Sequence, residues 1–512
     1  MTATPQSSSA EGDDEPKSID LDTNTHLGGT ATAPANNSYS DEDFLVSFTG
    51  DDDPRSPRSM APARKWLIVT IMATTSLCVA CTSSLYSATY GQIEKEFHVS
   101  PTVATLGLSL FVFGLGLSPM ILAPLSEFYG RKWIYVLSTF SFVIWLIPCA
   151  VATNIETLIV ARFFNGLAGA AFLSVAGGTV GDLFTRESLQ APMMLYTASP
   201  FLGPELGPVI GGFINYNVKW QWSYYVLLIW SFAQFIAICL LVPETYHPVL
   251  LRQEAKKLRK ETGDSRYYAS IEKMDRSLTQ TLIRSCYRPF LLLALEPMCL
   301  FLCLFTAVLL GVLYLFFGVF GVIFQNNHGF NLWQVGLCFL GIAVGMIVGV
   351  CTNPLWHKNF MRLLKEHQAK TGIPGSSEPE FRLPPAIGGA PLVTIGLFWF
   401  GWTTYSSIHW IVPIIGSAVF GAGVIIVFSG IWTFLVDAYP LYSASALAAN
   451  SFTRSVFAAA FPLFGSPMYE NLGYQWASFL LSMITLVLAP FPYIFYRWGA
   501  QIRAKSKYAG GK

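Results

Sequence analysis

From residue 66 onward the chain carries run after run of about eighteen or more residues almost free of Asp, Glu, Lys and Arg. At ~1.5 Å of rise per residue such a run crosses the ~30 Å hydrocarbon core of a bilayer. In lipid a helix satisfies its own backbone hydrogen bonds, so a chain built this way folds as a bundle of spanning helices. Of its 512 residues, 53% are hydrophobic and 12% charged, about half the ~25% charged content of soluble domains. That excludes an ordinary cytosolic enzyme. With 32 Lys and Arg against 31 Asp and Glu, nothing points to a nucleic-acid partner.

Reading apolar runs against charged or Gly/Pro/Asn interruptions predicts spans near 66–90, 103–124, 134–152, 158–182, 191–214 and 223–242. Six more are predicted near 297–324, 333–354, 384–405, 410–436, 443–468 and 477–496. The organisation expected is a disordered acidic tail over 1–65, a six-helix bundle over 66–242, a cytoplasmic linker over 243–289, a second bundle over 290–496 and a basic tail over 497–512. Lys and Arg resist translocation and accumulate on the cytoplasmic side. With both termini inside, the cytoplasmic segments hold 28 of the 32, and the outer loops hold only Lys95 and Lys219. The last two, Arg162 and Arg454, lie within spans.

Nine cysteines, an odd number lying almost entirely in apolar runs, argue against a disulfide framework. Cys78 and Cys81 have no second Cys or His pair at zinc spacing, so no metal site is expected. The chain lacks a G-x-x-x-x-G-K-[ST] loop, so ATP is not the energy source, and no cofactor is implied.

Three segments carry more information. Between the second and third spans, Ala123-Pro-Leu-Ser-Glu127-Phe-Tyr-Gly130-Arg131-Lys132 sets an acid before paired bases on a glycine turn. Taken by itself it is a positive-inside anchor. In the fourth span Arg162 stands four residues past Leu158, where a charge costs about 2.5–3.5 kcal/mol on insertion scales. It either faces a cavity or partner or snorkels to the surface. In the fifth span Gly203, Gly207 and Gly211 recur at every fourth position beside Gly212, a flat stripe suited to backbone packing. Pro208 removes a hydrogen bond there and bends the helix.

Together these segments resemble signatures of the major facilitator superfamily, and most closely its fungal twelve-span drug:proton antiporters. Glu127 and Ala123 stand where the family usually has Asp and Gly, and Asn165 stands for Gln after the arginine. The likeness extends through Pro243-Glu-Thr-Tyr246, Arg288-Pro-Phe290, Tyr314-Leu-Phe-Phe317, Ile408-His-Trp410 and the segment from Ser445 to Ser455, covering about Leu45 to Lys507. It implies an all-helical membrane protein of twelve spans in two six-helix bundles, with a central site reached alternately from the two sides. It also implies that Glu127, Gly130, Arg131 and Lys132 gate the cytoplasmic interface and that Arg162 takes part in proton coupling. Gly203, Gly207, Pro208, Gly211 and Gly212 match a motif characteristic of exporters. One departure matters: Gly318 and Gly321 stand where these relatives commonly carry Glu and Pro, which makes a polycation a poorer substrate.

The interior charges are Arg162, Arg454, Glu205 and, nearer helix ends, Asp182, Glu296 and Asp437. Two arginines against one central acid tilt the cavity towards neutral or anionic compounds. Arg162, Glu205 and Asp182 form the candidate coupling set. Glu205, set among Gly and Pro, is either the proton carrier or a group facing lipid headgroups. Arg454 divides evenly between a structural pair and a cavity role. Aromatics make up 15% of the chain, and Tyr314, Phe316, Phe317, Trp399, Trp402, Tyr405 and Trp410 are candidates to line an amphipathic cavity. Tyr314, Asn450 and Arg454 are the cavity residues favoured.

The expected function is proton-coupled export of drugs, toxins or secondary metabolites across the plasma membrane, by a monomer whose partners are its small-molecule substrate, protons and lipid. The alternative is export of di- or tricarboxylates. A non-transporting receptor is disfavoured by the short tails. An integral membrane enzyme is disfavoured by the scatter of the seven histidines, which form no catalytic constellation.

Overall fold

The computed structural model describes residues 44–50, 53–185, 188–273, 277–372 and 377–509. Two units are distinguished, Met1–Phe44 and Leu45–Lys512. The first lies, but for Phe44, outside the described residues, as does most of the tail expected to be disordered. All that follows concerns the second.

Twelve long helical rods succeed one another in that unit. They are span 1 (Pro62–Phe97), span 2 (Pro101–Leu117 and Pro119–Tyr129, bent by 41°), span 3 (Arg131–Ala150), span 4 (Ile155–Leu183), span 5 (Gln190–Asn217) and span 6 (Gln221–Leu241). After the linker come span 7 (Pro297–His328), span 8 (Leu332–Thr371), span 9 (Pro384–Trp402), span 10 (Ile411–Ala438), span 11 (Ser443–Leu472) and span 12 (Tyr474–Arg503). Local chemistry sets their ends. Proline opens spans 1, 2, 7 and 9 at a first-turn position whose missing N–H costs nothing. Asn154 caps span 4 at Thr157 N (2.8 Å), Asn331 and Gln334 form a reciprocal capping box on span 8, and Gly329 in left-handed conformation (φ 66°) ends span 7.

Nine of the described rods are long and apolar enough to cross a membrane, and the bent span 2 is a tenth. Spans 5 and 11 fall short of that measure for a physical reason. Span 5 carries Pro200, Pro204, Pro208 and Glu205, and span 11 carries Arg454, Pro462 and Pro467. Both pack between the two sets of six rather than against lipid on all sides: span 5 lies against spans 1 and 8, span 11 against spans 2 and 7.

Span 5 makes the closest of these approaches. A Cβ at Gly203 would lie 2.5 Å from Ala80 Cβ and 2.9 Å from Leu77 O, one at Gly207 would overlap Ser84 Oγ, and one at Gly211 would lie 2.9 Å from Leu85 O. The stripe is thus keyed into span 1. Gly212 reaches across to the other bundle, where a Cβ would stand 2.9 Å from Leu332 O and 3.1 Å from Trp333 Cα. Phe213 stacks on Trp333 there, with centroids 5.5 Å apart. The second bundle has its own aromatic core, in which Phe316, Phe320, Phe339, Phe400 and Phe420 interlock and Phe320 stacks on Phe400 at 5.3 Å.

The linker contains two helices, His247–Thr262 and Leu278–Leu295. The second packs on both Pro119–Tyr129 of span 2 and span 11, tying the bundles together at one end. Residues 45–50 and 53–58 fall within the stretch expected from composition to be disordered, and the piece around Val46 packs on the first of these helices. Val46 N donates to Tyr268 O (2.9 Å), and buried Val46, Ala255 and Ala269 form a small separate core. Nearby, hydrogen bonds from the Arg55 side chain hold the Asp53 carboxyl well below the usual carboxylate range. A depressed acid contributes its stability above its unfolded value and loses it only in strong acid, so this tie is intact at neutral pH.

Gly207→Ala is expected to destabilise the detergent-solubilised protein by about 1–3 kcal/mol through overpacking against the backbone of span 1. Gly321→Ala, whose nearest neighbour would be Gln325 Nε2 at 3.9 Å, serves as the control with unchanged or slightly raised Tm. Equal melting temperatures for the two variants would show that the stripe does not need its glycines.

Candidate functional site: the cavity between the bundles

Two cavities meet at the interface. The larger, about 620 Å3, runs between spans 5, 8 and 10 from Phe201 and Trp432 to Gln190, Asn353 and Arg382 at the linker end. The smaller, about 130 Å3, lies deeper and is lined by Pro204, Tyr314, Ser451, Arg454 and Ser455 as well as Phe201 and Trp432. Among the described residues, no Asp or Glu lines either one. Phe201 of span 5 stands 5.6 Å from both Phe428 and Trp432 of span 10, and those two stack on each other at 5.8 Å and 13°. The result is an aromatic wall contributed by both bundles, with Phe201 tilted by 42° and 35° against Phe428 and Trp432.

Tyr314, expected at the cavity, is there, and its hydroxyl pairs with Ser83 Oγ at 3.1 Å across the bundles. Arg454 is there too, its guanidinium 4.8 Å from the Trp432 centroid and 5.3 Å from that of Phe428. Asn450 stands behind the wall instead. It is buried, donates to Thr306 Oγ1 (2.7 Å) and accepts from Trp432 Nε1 (2.9 Å), fixing the plane of the indole. Trp399, Trp402, Tyr405 and Trp410 lie outside both cavities and are 39% to 44% exposed. Phe316 and Phe317 belong to the packed aromatic core of the second bundle. These six were grouped with the cavity because spacing alone does not tell which side of a span an aromatic ring faces.

Arg162 is buried rather than snorkelling. Its Nε donates to Gly107 O (2.7 Å), Nη2 to Thr82 O and Ser83 O (3.3 and 3.2 Å) and Nη1 to Tyr224 Oη (3.4 Å). The Tyr86 and Phe111 rings lie 4.2 and 4.8 Å from it. One side chain therefore holds spans 1, 2 and 6 to span 4 through neutral groups. Glu205 is fully buried, and neither carboxylate oxygen has a hydrogen-bond partner among the described residues.

At the linker end the basic turn is held, but not by Glu127. That acid is exposed and forms no ion pair among the described residues. Arg131 Nε pairs with Asp182 Oδ2 (3.1 Å), which places Asp182 in this cluster and not beside Arg162 or Glu205. Glu244 caps the start of span 3, accepting from Arg131 N (2.9 Å) and Lys132 N (3.1 Å), and also accepts from Tyr246 N (2.9 Å). An anion at a helix N-terminus is favoured both by the orphan N–H groups and by the helix dipole. Gly130, at φ 95°, turns the chain so closely over this carboxylate that a Cβ would overlap Glu244 Oε2.

Sequence reasoning missed Glu244, Phe201, Phe428 and Trp432. Glu244 stands in the Pro-Glu-Thr-Tyr segment, and its partner turn is far away in sequence. Trp432 lies within the last two turns of span 10, where in sequence it reads as one more interfacial tryptophan.

The profile of the Major Facilitator Superfamily matches residues 72–462. The chain belongs to that superfamily. Within it the chain belongs with fungal efflux pumps and drug:proton antiporters. It is 69% identical over 494 residues to the efflux pump atB of Aspergillus terreus, covering 96% of this chain and 94% of that protein. It is 41% identical to the probable drug/proton antiporter YHK8 of Saccharomyces cerevisiae, covering 91% and 90%. The fold agrees with the xylose transporter XylE of E. coli in a partially occluded inward open conformation, at a TM-score of 0.60 and 14% identity over 84% of this chain and 99% of that one.

Glu244→Ala is expected to lower the stability of the solubilised protein by about 1–3 kcal/mol, the cost of orphaning several N–H donors at one helix start. Glu127→Ala, at an exposed site, should stay within about 0.5 kcal/mol of the parent. Thermal melts of the two variants side by side check this, and a larger loss at Glu127 would return the anchoring role to the loop acid.

Proposed function

We propose that the chain is a proton-coupled secondary transporter that exports small organic molecules of the drug, toxin or secondary-metabolite kind across the plasma membrane by alternating access. The observation that carries this reading is the aromatic-walled cavity of about 620 Å3 between the bundles, on a chain 69% identical to an efflux pump along almost its whole length. Mostly apolar walls with a few polar groups suit amphipathic molecules of varied shape. A pH unit supplies ~1.4 kcal/mol and each charge moved ~2.3 kcal/mol per 100 mV, enough to concentrate such cargo outside.

Glu205 is the proposed proton carrier, a buried carboxyl with no fixed partner on the helix that forms one cavity wall. Arg162 is the proposed coupling post, since it is a buried charge that joins four spans of one bundle through neutral acceptors. The Gly130 turn with Arg131, Asp182 and Glu244 is the proposed cytoplasmic gate. In this reading the protein is a monomer with both termini in the cytoplasm, where the distribution of Lys and Arg puts them. It does no covalent chemistry. Export of di- or tricarboxylates is not favoured: the relatives are efflux pumps and drug/proton antiporters.

Inside-out vesicles with an acidic interior should take up a lipophilic fluorescent drug, and a protonophore should abolish the uptake. Glu205→Gln and Arg162→Ala, delivered to the membrane at parental levels, should each lose the gradient-driven flux. Uptake indifferent to the protonophore would overturn proton coupling. Full flux in Arg162→Ala would leave that arginine a purely structural post.

A further inference from the structure

The two interior arginines, Arg162 buried and Arg454 half-buried, differ in how their donors are used. Arg162 spends its donors on Gly107 O, Thr82 O, Ser83 O and Tyr224 Oη. Arg454 forms no hydrogen bond and no ion pair among the described residues, and its Nε is buried without a partner. A guanidinium kept in a low-dielectric site with its N–H groups unspent is costly unless something else meets them. The walls that do face it are the Trp432 and Phe428 rings, at 4.8 and 5.3 Å, and the smaller cavity.

That cavity has a size and a polarity. At about 130 Å3 it is close to the ~150 Å3 of an engineered apolar cavity that takes one benzene. Phe201, Trp432 and Tyr314 give it aromatic walls, and Ser451 and Ser455 stand with Arg454 in its lining. Among the described residues no acid lines either cavity, and the unpaired charge facing the cargo is positive. Arg382, which lines the outer part of the larger cavity, is already paired with Asp437 at 2.7 Å.

We propose that the cargo of this transporter is a single-ring aromatic acid carrying one negative charge, its ring against the Phe201–Trp432 wall and its acid group on the Arg454 guanidinium. This rests on the export reading above and adds the substrate class to it. A carboxylate on Arg454 gains two parallel charge-assisted hydrogen bonds, and the guanidinium, stacked on the indole, is held in place to offer them. Only one such fork faces the smaller cavity, so a di- or tricarboxylate leaves at least one anion buried without a counter-charge. The same site therefore selects against polyanions. It also selects against cations, which meet the arginine without any acid to offset it.

The test uses the purified full chain in proteoliposomes with a pH gradient. The probes are 4-hydroxybenzoate, its neutral isostere 4-hydroxybenzamide, benzene-1,3,5-tricarboxylate and a lipophilic fluorescent drug. The expected result is gradient-driven, saturable transport in which the monoacid is preferred over both the amide and the tricarboxylate by about tenfold or more, the effect of one charge-assisted bond pair. In Arg454→Gln the acid-to-amide ratio should fall towards one, and in Arg454→Lys it should recover in part, because charge returns without the fork. Should Arg454→Gln fail to fold, the acid-to-amide ratio of the parent protein and ligand-induced shifts of its Tm decide the matter. Transport of the drug with no preference for the acid overturns the substrate class and leaves export standing. If the gradient drives none of the four, export falls and the substrate class with it.

Discussion

The glycine face of span 5 is the contact on which the rest of the structure depends. Two helices in lipid gain nothing from the hydrophobic effect by touching, so their association rests on how closely the backbones pack. Gly203, Gly207 and Gly211 bring span 5 against Leu77, Cys81 and Leu85 of span 1 at distances no side chain permits. At ~100° per residue, Phe201 and Pro208 fall on the flank of the same helix, roughly a third of a turn round from the centre of the glycine stripe, and Glu205 falls nearly opposite it. That flank meets the second bundle, where Gly336 of span 8 takes in Pro208 O and Phe201 meets Phe428 and Trp432. Glu205, one turn after Phe201, falls near this second face. Fixing one side of the helix thus fixes which groups stand between the bundles.

The two arginines show how the same residue type serves opposite ends. Arg162 is surrounded by backbone carbonyls of spans 1 and 2 and by tyrosine, and its charge is dispersed over neutral acceptors and two aromatic faces. Such a site holds helices together and spends four of the five guanidinium donors on the protein itself. Arg454 has aromatic faces without acceptors. Truncating a satisfied buried donor leaves several acceptors orphaned, whereas truncating an unsatisfied one orphans none.

Much of the fold was legible in the sequence because it rests on local signals. Apolar run length marked the rods, Pro and Asn marked their starts, and the four-residue glycine spacing marked the tight face of span 5. Span 11 was legible for the same reason even though Arg454 and two prolines lower its hydropathy. The site was legible only in part. Of the three residues favoured for the cavity, Tyr314 and Arg454 line it and Asn450 does not, because a polar group at mid-span needs a partner but the sequence does not say whether that partner is cargo or a neighbouring side chain. The aromatic wall was not legible, because phenylalanine looks the same in sequence whether it packs in the core, as Phe316 does, or faces a cavity, as Phe201 does. Glu244 was missed on a different ground: its function depends on a turn 113 residues earlier in the chain, and no local pattern encodes that distance.

Trp432 joins these elements, and its attachments are unequal. Asn450 holds its indole N–H, Phe428 lies against one face and Arg454 lies over the ring, all within spans 10 and 11 of one bundle. Phe201 alone comes from the other bundle. In a rocking motion of one bundle against the other, residues of a single bundle keep their mutual geometry, so the plate made by Trp432, Phe428, Asn450 and Arg454 travels as one piece. The wall that changes is span 5. Because Phe201 and Glu205 are one helical turn apart on that span, the ring that bounds the cargo and the carboxyl proposed to carry the proton move together, and neither can shift against the plate without the other.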